Sequence, residues 1–247
     1  MAAKSRIQDN PSQRSVIGKL HYLVAGSRSE IAYAVHQCAR FSHEPKMEHA
    51  KAVKWIGRYL KGTKDEGTIL KPDPTKSLEV YVDADFAGNW DPEYAHKDRS
   101  TARSRHGFYI LYGGIPIAWK SSLQQEIALS STESEVTGLS YALREAIPVM
   151  NILEEMKHRN INVNNGRPKV HCKVFEDNSG ALEIARFHKF RPRTKHLNNK
   201  LWHFRTYVDR KLISIHPIRS EEQLADILTK PLNEDKFKYQ RKRINGW

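Results

Sequence analysis

The sequence predicts an α/β fold in which a mixed five-stranded sheet with flanking helices follows a small helical segment. Apolar residues recur at helical spacing up to about residue 62, and the pattern then changes to the alternation typical of strands. Beyond that change the predicted elements follow the order β-β-β-α-β-α-α-β-α, which favours a mixed sheet with helices on both faces. A chain of 247 residues has room for one large domain and a smaller one.

The segment 1–77 is predicted to be helical after a polar tether at residues 1–13, where Asn10-Pro11 interrupts any helix. Two closely spaced prolines in Pro72-Asp73-Pro74 stop both a helix and a sheet ladder, so they mark a domain boundary between residues 77 and 78. The helical runs cover residues 17–23, 31–41 and 52–60.

The segment 78–232 is predicted to be the main domain, and residues 233–247 are predicted to be a flexible basic tail. Gly113-Gly114 supplies the turn of a hairpin, and Pro231 stops the last helix. The predicted strands cover residues 78–82, 106–112, 115–120, 170–175 and 212–216, and the predicted helices cover residues 132–157, 180–186, 196–208 and 221–229.

The charge of the chain points to a polyanionic partner. The net charge is +13 and the sequence pI is about 9.7, which favours salt-dependent attraction to phosphate. Basic residues concentrate in residues 186–211, where Asp209 is the single acid. Contacts of this kind would position a nucleic acid without reading its sequence.

Other compositional features exclude several classes of protein. No stretch approaches the roughly 18–20 apolar residues of a membrane span, so no membrane partner is expected. The N-terminus lacks the apolar core of a signal peptide. The two cysteines, Cys38 and Cys172, are interpreted as buried core residues. Together these features predict an intracellular location, with a cytoplasmic particle and the nucleus both left open.

Four acidic residues lie at points of the predicted elements that can converge on one cleft: Asp83, Glu135, Asp177 and Asp226. Four carboxylates in one place repel each other and would need divalent cations to offset the repulsion. Hard cations such as Mg²⁺ prefer oxygen ligands, and a pair of them about 3.5–4 Å apart supports phosphodiester cleavage. The leading hypothesis is therefore a two-metal nuclease.

Two of these acids have close alternatives. Asp83 and Asp85 point to the same side of a strand, and Asp83 is preferred because it directly follows the apolar alternation, with Asp85 held in reserve. Glu135 fits a capping box that begins at Thr132, yet it shares a helix face with Leu139, which directs it toward the core.

The other two acids also have structural interpretations. Asp177 would serve as the N-cap of the helix that follows it. Asp226 would be an exposed helix acid, in a helix whose own capping box is the segment 220–223.

At these residues the sequence resembles the ribonuclease H domain at the C-terminal end of the Pol polyprotein of copia-type LTR retrotransposons. Residues 15–63 resemble the piece that links reverse transcriptase to that nuclease. The nuclease-like strings are Tyr81-Val82-Asp83-Ala84-Asp85-Phe86-Ala87-Gly88, Leu129-Ser130-Ser131-Thr132-Glu133-Ser134-Glu135, Glu176-Asp177-Asn178-Ser179-Gly180-Ala181, Arg193-Thr194-Lys195-His196 and Glu222-Gln223-Leu224-Ala225-Asp226-Ile227-Leu228-Thr229-Lys230-Pro231-Leu232.

The resemblance implies hydrolysis of the RNA strand of an RNA–DNA hybrid by two Mg²⁺ ions, with Mn²⁺ as a possible substitute. It also implies an upstream reverse transcriptase domain as a partner within a parent polyprotein. The implied metal ligands are Asp83, Glu135, Asp177 and Asp226, and the expected nucleic-acid-binding residues are Ser179, Arg191, Arg193, Lys195, His196 and Lys200.

The chain departs from the family in the loop before the last helix, where Pro217-Ile218-Arg219-Ser220 lacks the histidine of many ribonucleases H. His216 lies just before this loop but is a weak replacement. No Tyr-x-Asp-Asp polymerase signature occurs, so the chain is not expected to polymerise DNA. The alternatives are a catalytically inactive nucleic-acid-binding remnant and an integrase-like strand transferase. The fourth carboxylate argues against the strand transferase.

Overall fold

The computed structural model describes residues 11–73, 75–93, 95–163, 170–187 and 195–246. The chain divides into two compact units between Thr68 and Ile69, which is nine residues before the expected boundary between residues 77 and 78. The backbone amide of Ile69 donates to the carbonyl of Asn245 at 2.8 Å, so the chain joins the second unit immediately after the division.

The first unit is helical, as the sequence predicts. Its helices are α1 (Pro11–Gly26), a short 3₁₀ turn (Ser29–Ile31), α2 (Ala32–Ala39) and α3 (Met47–Gly62). The tether predicted for residues 1–13 is wrong at its end, because α1 already begins at Pro11. Proline is tolerated in the first turn of a helix, where its missing N–H has no intrahelical partner. The core of this unit consists of Ile17, Leu20, Ile31, Val35, Cys38 and Ile56.

A buried ion pair ties the 3₁₀ turn of the first unit to α3. Arg28 Nε lies 2.7 Å from Glu30 Oε1, and both side chains are largely buried. Arg28 also donates to Thr63 Oγ1 at 2.6 Å, and the Tyr59 hydroxyl donates to Glu30 Oε1 at 3.2 Å. These bonds fix the turn that carries Arg28-Ser29-Glu30.

The second unit is built on a five-stranded sheet in the order β3-β2-β1-β4-β5. β2 is antiparallel to β1 and β3, while β4 is parallel to β1 and β5. The mixed five-stranded sheet predicted from the sequence is therefore confirmed. Its strands are β1 (Leu78–Asp85), β2 (Arg105–Tyr112), β3 (Ile115–Leu123), β4 (Cys172–Glu176) and β5 (Ile213–Pro217).

Helices flank this sheet, and the longest of them packs against its centre. α4 (Ser131–His158) packs on β1 and β2, and its apolar residues join the core. α5 (Ser179–Arg186) and α6 (Lys195–Asp209) follow β4. No helix in the described ranges combines the length and the apolar character that a membrane crossing would need.

The sheet brings the acidic positions to one edge. Tyr81 of β1 pairs with Phe175 of β4, and the two strands run in parallel. The carboxyl ends of parallel neighbours meet at the same edge, which places Asp83 beside Glu176 and Asp177. On its other side, Asp83 faces Gly107 of β2.

Two predictions near the C-terminus are wrong. The helix predicted for residues 221–229 is reduced to α7 (Asp226–Thr229), and no side chain caps it. The residues predicted to be a flexible tail form α8 (Glu234–Asn245), which Asn233 caps by accepting from the amide of Lys236. α8 is fixed because Ile244 is buried and Gln240 Nε2 donates to the carbonyl of Gln223 at 2.7 Å.

Candidate carboxylate centre

Three of the four predicted acidic residues form a cluster. Ligand oxygens of Asp83, Glu135 and Asp177 all lie within 4.8 Å of one another. Asp83 and Glu135 are buried, and Asp177 is half-buried. Among the described residues, Glu135 Oε2 is buried and has no hydrogen-bond partner. A buried oxygen without a partner, next to two further carboxylates, fits the oxygen donor set of a hard divalent cation.

The start of α4 explains why Glu135 points into this cluster. Ser130 is the N-cap, and its side chain accepts from the amide of Glu133 at 3.1 Å. Glu133 Oε2 in turn accepts from the amide of Leu129 at 2.9 Å. Glu133 therefore does the capping, and the alternative capping role for Glu135 is wrong. Glu135 is left on the buried face of α4 with Leu139.

The structural alternative for Asp177 is also wrong. Asn178 is the N-cap of α5 and accepts from the amide of Ala181 at 2.9 Å. Asp177 Oδ2 instead accepts from the hydroxyl of Ser220 at 2.7 Å. Ser220 comes from the loop between β5 and α7, so this loop contacts the centre through a hydroxyl.

Glu176 is a fifth carboxylate at the centre, and its role was missed in the sequence. It is fully buried at the end of β4. Its Oε1 accepts from the amide of Asn178 at 3.0 Å, and its Oε2 has no hydrogen-bond partner among the described residues. Its position as the last residue of an apolar strand, directly before Asp177, was the available signal.

Asp226, the fourth predicted ligand, is fully buried and lies outside the three-residue cluster. Its Oδ1 lies 2.7 Å from Lys230 Nζ, and its Oδ2 accepts from Lys236 Nζ. Lys230 Nζ also lies 3.5 Å from Asp83 Oδ1, so this lysine sits between the fourth carboxylate and the cluster. The interpretation of Asp226 as an exposed helix acid is wrong.

The environment of the centre favours protonation of its carboxylates. Burial, followed by repulsion from Asp226, raises the pKa of Asp83 to about 7, although Lys230 and a hydrogen bond from Thr229 oppose the shift. Burial, together with repulsion from neighbouring carboxylates, raises the pKa of Glu135 and of Glu176 well above the ordinary value. Burial would lower the pKa of Lys230, but attraction to Asp83 and Asp226 outweighs it and raises the pKa.

These shifts predict an unusual dependence of stability on pH. Carboxyl groups with raised pKa values bind protons more tightly in the folded than in the unfolded state, so stability falls as the pH rises from about 4 to about 7. In EDTA, the melting temperature should therefore rise by about 5 °C when the pH is lowered from 8 to 5. Saturating Mg²⁺ should remove most of this rise by stabilising the charged forms at pH 8. Differential scanning calorimetry measures the melting temperature at each pH. The control Glu133→Gln, outside the cluster, should keep the wild-type dependence of the melting temperature on pH. A melting temperature that falls toward pH 5 in EDTA would contradict the assigned shifts.

The reserve residue and the substitute histidine lie outside the cluster. Asp85 is half-buried and turned back toward the following turn, where a Cβ at Gly88 would lie 1.8 Å from its Oδ2. His216 Nε2 lies 2.7 Å from the hydroxyl of Ser214. Neither belongs to the group of carboxylate oxygens that the structure brings together.

The structure describes the predicted nucleic-acid-binding residues unevenly. Arg191 and Arg193 lie outside the described residues. Lys195 and His196 begin α6, but their side chains are outside the described part of the chain. Ser179 is exposed at the start of α5. Lys200 Nζ lies 3.0 Å from Glu126 Oε2 and donates to Thr137 Oγ1 at 3.2 Å.

The sequence similarity of this chain to known proteins covers nearly its whole length. No protein-family model matches it. The Pol polyprotein from transposon RE1 of Arabidopsis thaliana is 34% identical over 233 residues, which are 94% of this chain and 15% of that protein. The Pol polyprotein from transposon TNT 1-94 of Nicotiana tabacum is 32% identical over 224 residues, which are 90% of this chain and 15% of that protein.

Among solved structures, LC11-RNase H1, isolated from compost by a metagenomic approach, is similar with a TM-score of 0.44 and 16% identity, over 62% of this chain and 92% of that one. The chain spans about 15% of the length of the curated transposon relatives it matches. The homologues of this chain are therefore retrovirus-related Pol polyproteins of copia-type transposons.

Proposed function

We propose that the second unit is a ribonuclease H domain that hydrolyses the RNA strand of RNA–DNA hybrids with two Mg²⁺ ions, for which Mn²⁺ can substitute. The observation that carries this function is the meeting of Asp83, Glu135 and Asp177 oxygens within 4.8 Å. Similarity to the Pol polyproteins supports a role on nucleic acid, and the basic charge of the chain supports a polyanionic substrate.

At the proposed centre, the carboxylates are the cation ligands and neighbouring hydroxyl groups orient two of them. Asp83, Glu135 and Asp177 would hold the cations, and Asp226 would be the fourth ligand. Bound divalent cations activate water and stabilise the leaving 3′-oxygen in reactions of this class. Ser220 orients Asp177 through its hydroxyl, and Thr229 orients Asp83 in the same way. The hydrogen bonds of Asn178 and Ser130 fix the helix starts that present these ligands.

Hybrid binding is assigned to α5, α6 and the segment between them. Lys200 and Ser179 lie on these elements, and Arg191, Arg193, Lys195 and His196 complete the proposed phosphate-binding set. Such contacts would position the hybrid, while contacts to 2′-hydroxyls across the minor groove would distinguish RNA from DNA.

The first unit, with the residues up to 77, is proposed to link this domain to an upstream reverse transcriptase domain of the same polyprotein. Since no Tyr-x-Asp-Asp string occurs, polymerisation is not assigned to this chain. An intracellular location is proposed, in a cytoplasmic particle or in the nucleus.

One observation favours a second candidate, a nucleic-acid-binding remnant without catalysis. Both oxygens of Asp226 are engaged by lysines, Lys230 and Lys236, so the fourth carboxylate is neutralised without a cation. A remnant of this kind would keep salt-sensitive binding of the hybrid and would not cleave it.

The test is a panel of three duplexes of one sequence: an RNA–DNA hybrid labelled on the RNA strand, an all-DNA duplex and an all-RNA duplex. The full chain in Mg²⁺ should cleave only the RNA strand of the hybrid, and EDTA should stop the reaction. Salt-sensitive binding of the hybrid without cleavage, in Mg²⁺ and in Mn²⁺, would contradict the nuclease function and support the non-catalytic nucleic-acid-binding remnant. Cleavage of the all-DNA duplex would reject the assigned substrate.

A further inference from the structure

Two lysines form ion pairs with the fourth carboxylate, each with a different oxygen. Lys230 follows α7 directly, and its Nζ lies 2.7 Å from Asp226 Oδ1. Lys236 lies on α8, and its Nζ donates to Asp226 Oδ2. Asp226 is fully buried, whereas the lysine side chains are 36% and 26% exposed. Each ammonium can therefore leave toward solvent, while the carboxylate cannot.

Lys236 also connects to the cluster through the loop before α7. Its Nζ donates to the backbone carbonyl of Ser220 at 2.8 Å. The hydroxyl of Ser220 donates to Asp177 Oδ2 at 2.7 Å. One ammonium on α8 thus holds the fourth carboxylate and the loop that orients a carboxylate of the cluster.

A chain of hydrogen bonds fixes α8 at this place. Gln240 donates to the carbonyl of Gln223, and Gln223 Nε2 donates to the carbonyl of Val82 at 2.8 Å, one residue before Asp83. Asn233 caps the helix by accepting from the amide of Lys236. The lysine is therefore delivered by a helix anchored to the central strand.

We propose that Lys230 and Lys236 are a built-in counter-ion pair that competes with divalent cations for Asp226 and so sets the cation concentration that the centre requires. Cation binding at this centre is itself part of the proposed function, on which the counter-ion role rests. An ammonium at hydrogen-bond distance occupies the coordination position of a carboxylate oxygen, so a cation at Asp226 must displace it. In the absence of a cation, the pair offsets the repulsion between Asp226 and Asp83.

Replacement of Lys236 by methionine tests this role, because methionine keeps an unbranched side chain, one heavy atom shorter than lysine, and removes the charge. Isothermal titration of Mn²⁺ into Lys236→Met should give a tighter apparent affinity than the wild type by about tenfold, the size of one charged hydrogen bond. In EDTA the melting temperature of this variant should fall by about 5 °C, and saturating Mn²⁺ should close the gap. Lys238→Met is the matched control, since Lys238 pairs with Glu234 on the exposed face of α8 and should leave both quantities unchanged.

A purely structural lysine would give a different result. Its loss would lower the melting temperature equally with and without Mn²⁺, and would weaken cation binding or leave it unchanged, which would overturn the counter-ion role. Lys236→Arg, which keeps the charge, should restore the wild-type affinity. If Lys236→Met unfolds, Lys230→Met is measured in its place and should also bind Mn²⁺ more tightly than the wild type. An unchanged or weaker Mn²⁺ affinity of Lys230→Met would overturn the counter-ion role.

Cation binding separates the failure of this role from the failure of the proposed function. A wild type that binds Mn²⁺ but cleaves no hybrid would contradict the nuclease function alone. The Mn²⁺ affinity of Lys236→Met would still decide the counter-ion role. A wild type that binds no Mn²⁺ while Lys236→Met does supports the counter-ion role. Absence of Mn²⁺ binding in the wild type and in both lysine variants overturns both.

Discussion

Asp83→Asn is expected to reduce cleavage of the RNA strand by about a thousandfold or more. Asp83 is the carboxylate common to the whole centre, because it lies in the cluster with Glu135 and Asp177 and is 3.5 Å from Lys230, which joins it to Asp226. Loss of its charge removes an anionic ligand from the proposed cations, whose stabilisation of developing charge is worth several kcal/mol. Single-turnover cleavage of the labelled hybrid in Mg²⁺ measures the change.

The same variant should be more stable than the wild type in EDTA at pH 8. Asparagine accepts the hydrogen bond of Thr229 as aspartate does, but carries no charge into a site where burial raises the pKa of Asp83 to about 7. A gain of about 1 kcal/mol or more is expected, and it should vanish in saturating Mg²⁺. Asp65→Asn, at an exposed position in the first unit, is the control for both quantities. Cleavage by Asp83→Asn within tenfold of the wild type would show that this carboxylate does not belong to the catalytic centre.

Gly107→Ala is expected to damage both stability and cleavage, although residue 107 is not acidic. A Cβ at this position of β2 would lie 2.6 Å from the Cβ of Leu228 and 2.9 Å from the Cγ2 of Thr229. The extra methyl must push α7 away from the sheet, and α7 carries both Asp226 and the hydroxyl that bonds Asp83. Overpacking of this kind costs about 1–3 kcal/mol of unfolding free energy.

Chemical denaturation followed by circular dichroism measures the stability of Gly107→Ala, and the hybrid assay measures its activity. Gly138→Ala is the control in the same unit. A Cβ at this position of α4 would lie 3.4–3.6 Å from side-chain carbons of β1 and β2, which is an ordinary contact distance. The control should remain within about 1 kcal/mol of the wild type, since alanine also favours the helix. Equal behaviour of the two variants would mean that α7 does not depend on close packing against β2.

The sheet and the cluster were predictable because strand alternation and strand direction determine them. Alternation along β1 places Asp83 at its end, and parallel pairing with β4 brings the ends of the two strands together. The position of Glu135 was predictable from its helical spacing to Leu139, since both lie on the buried face of α4. These signals are periodic over many residues, so errors at single positions do not destroy them.

The capping of α4 could not be decided from the sequence, because two overlapping boxes fit it. Ser130 and Glu133 have the same spacing as Thr132 and Glu135, and local chemistry does not separate them. Burial separates them, since only the first pair leaves Glu135 free to face the core. Tertiary packing therefore decides which pair caps α4.

The C-terminal helix was missed for a related reason. Basic residues dominate α8, and its attachment depends on a few positions, such as Gln240 and Ile244. Their partners are distant in sequence, as the bond from Gln240 to Gln223 shows. Composition predicts a solvated tail, whereas four residues of α8 are buried: Gln240, Arg241, Ile244 and Asn245. The contact between Lys236 and Asp226 therefore became visible only in the structure.

Strand-resolved cleavage of the RNA–DNA hybrid by the full chain, with Asp177→Asn and the control Asp65→Asn measured beside it, tests the central claim most directly. Asp177 is the carboxylate of the cluster least buried, so its replacement by asparagine carries the smallest risk of disturbing the fold. RNA-strand cleavage in Mg²⁺ by the wild type and Asp65→Asn, lost in a folded Asp177→Asn, is the predicted result. Equal cleavage by all three chains, or no cleavage by a wild type that binds the hybrid, would contradict a nuclease centred on these carboxylates.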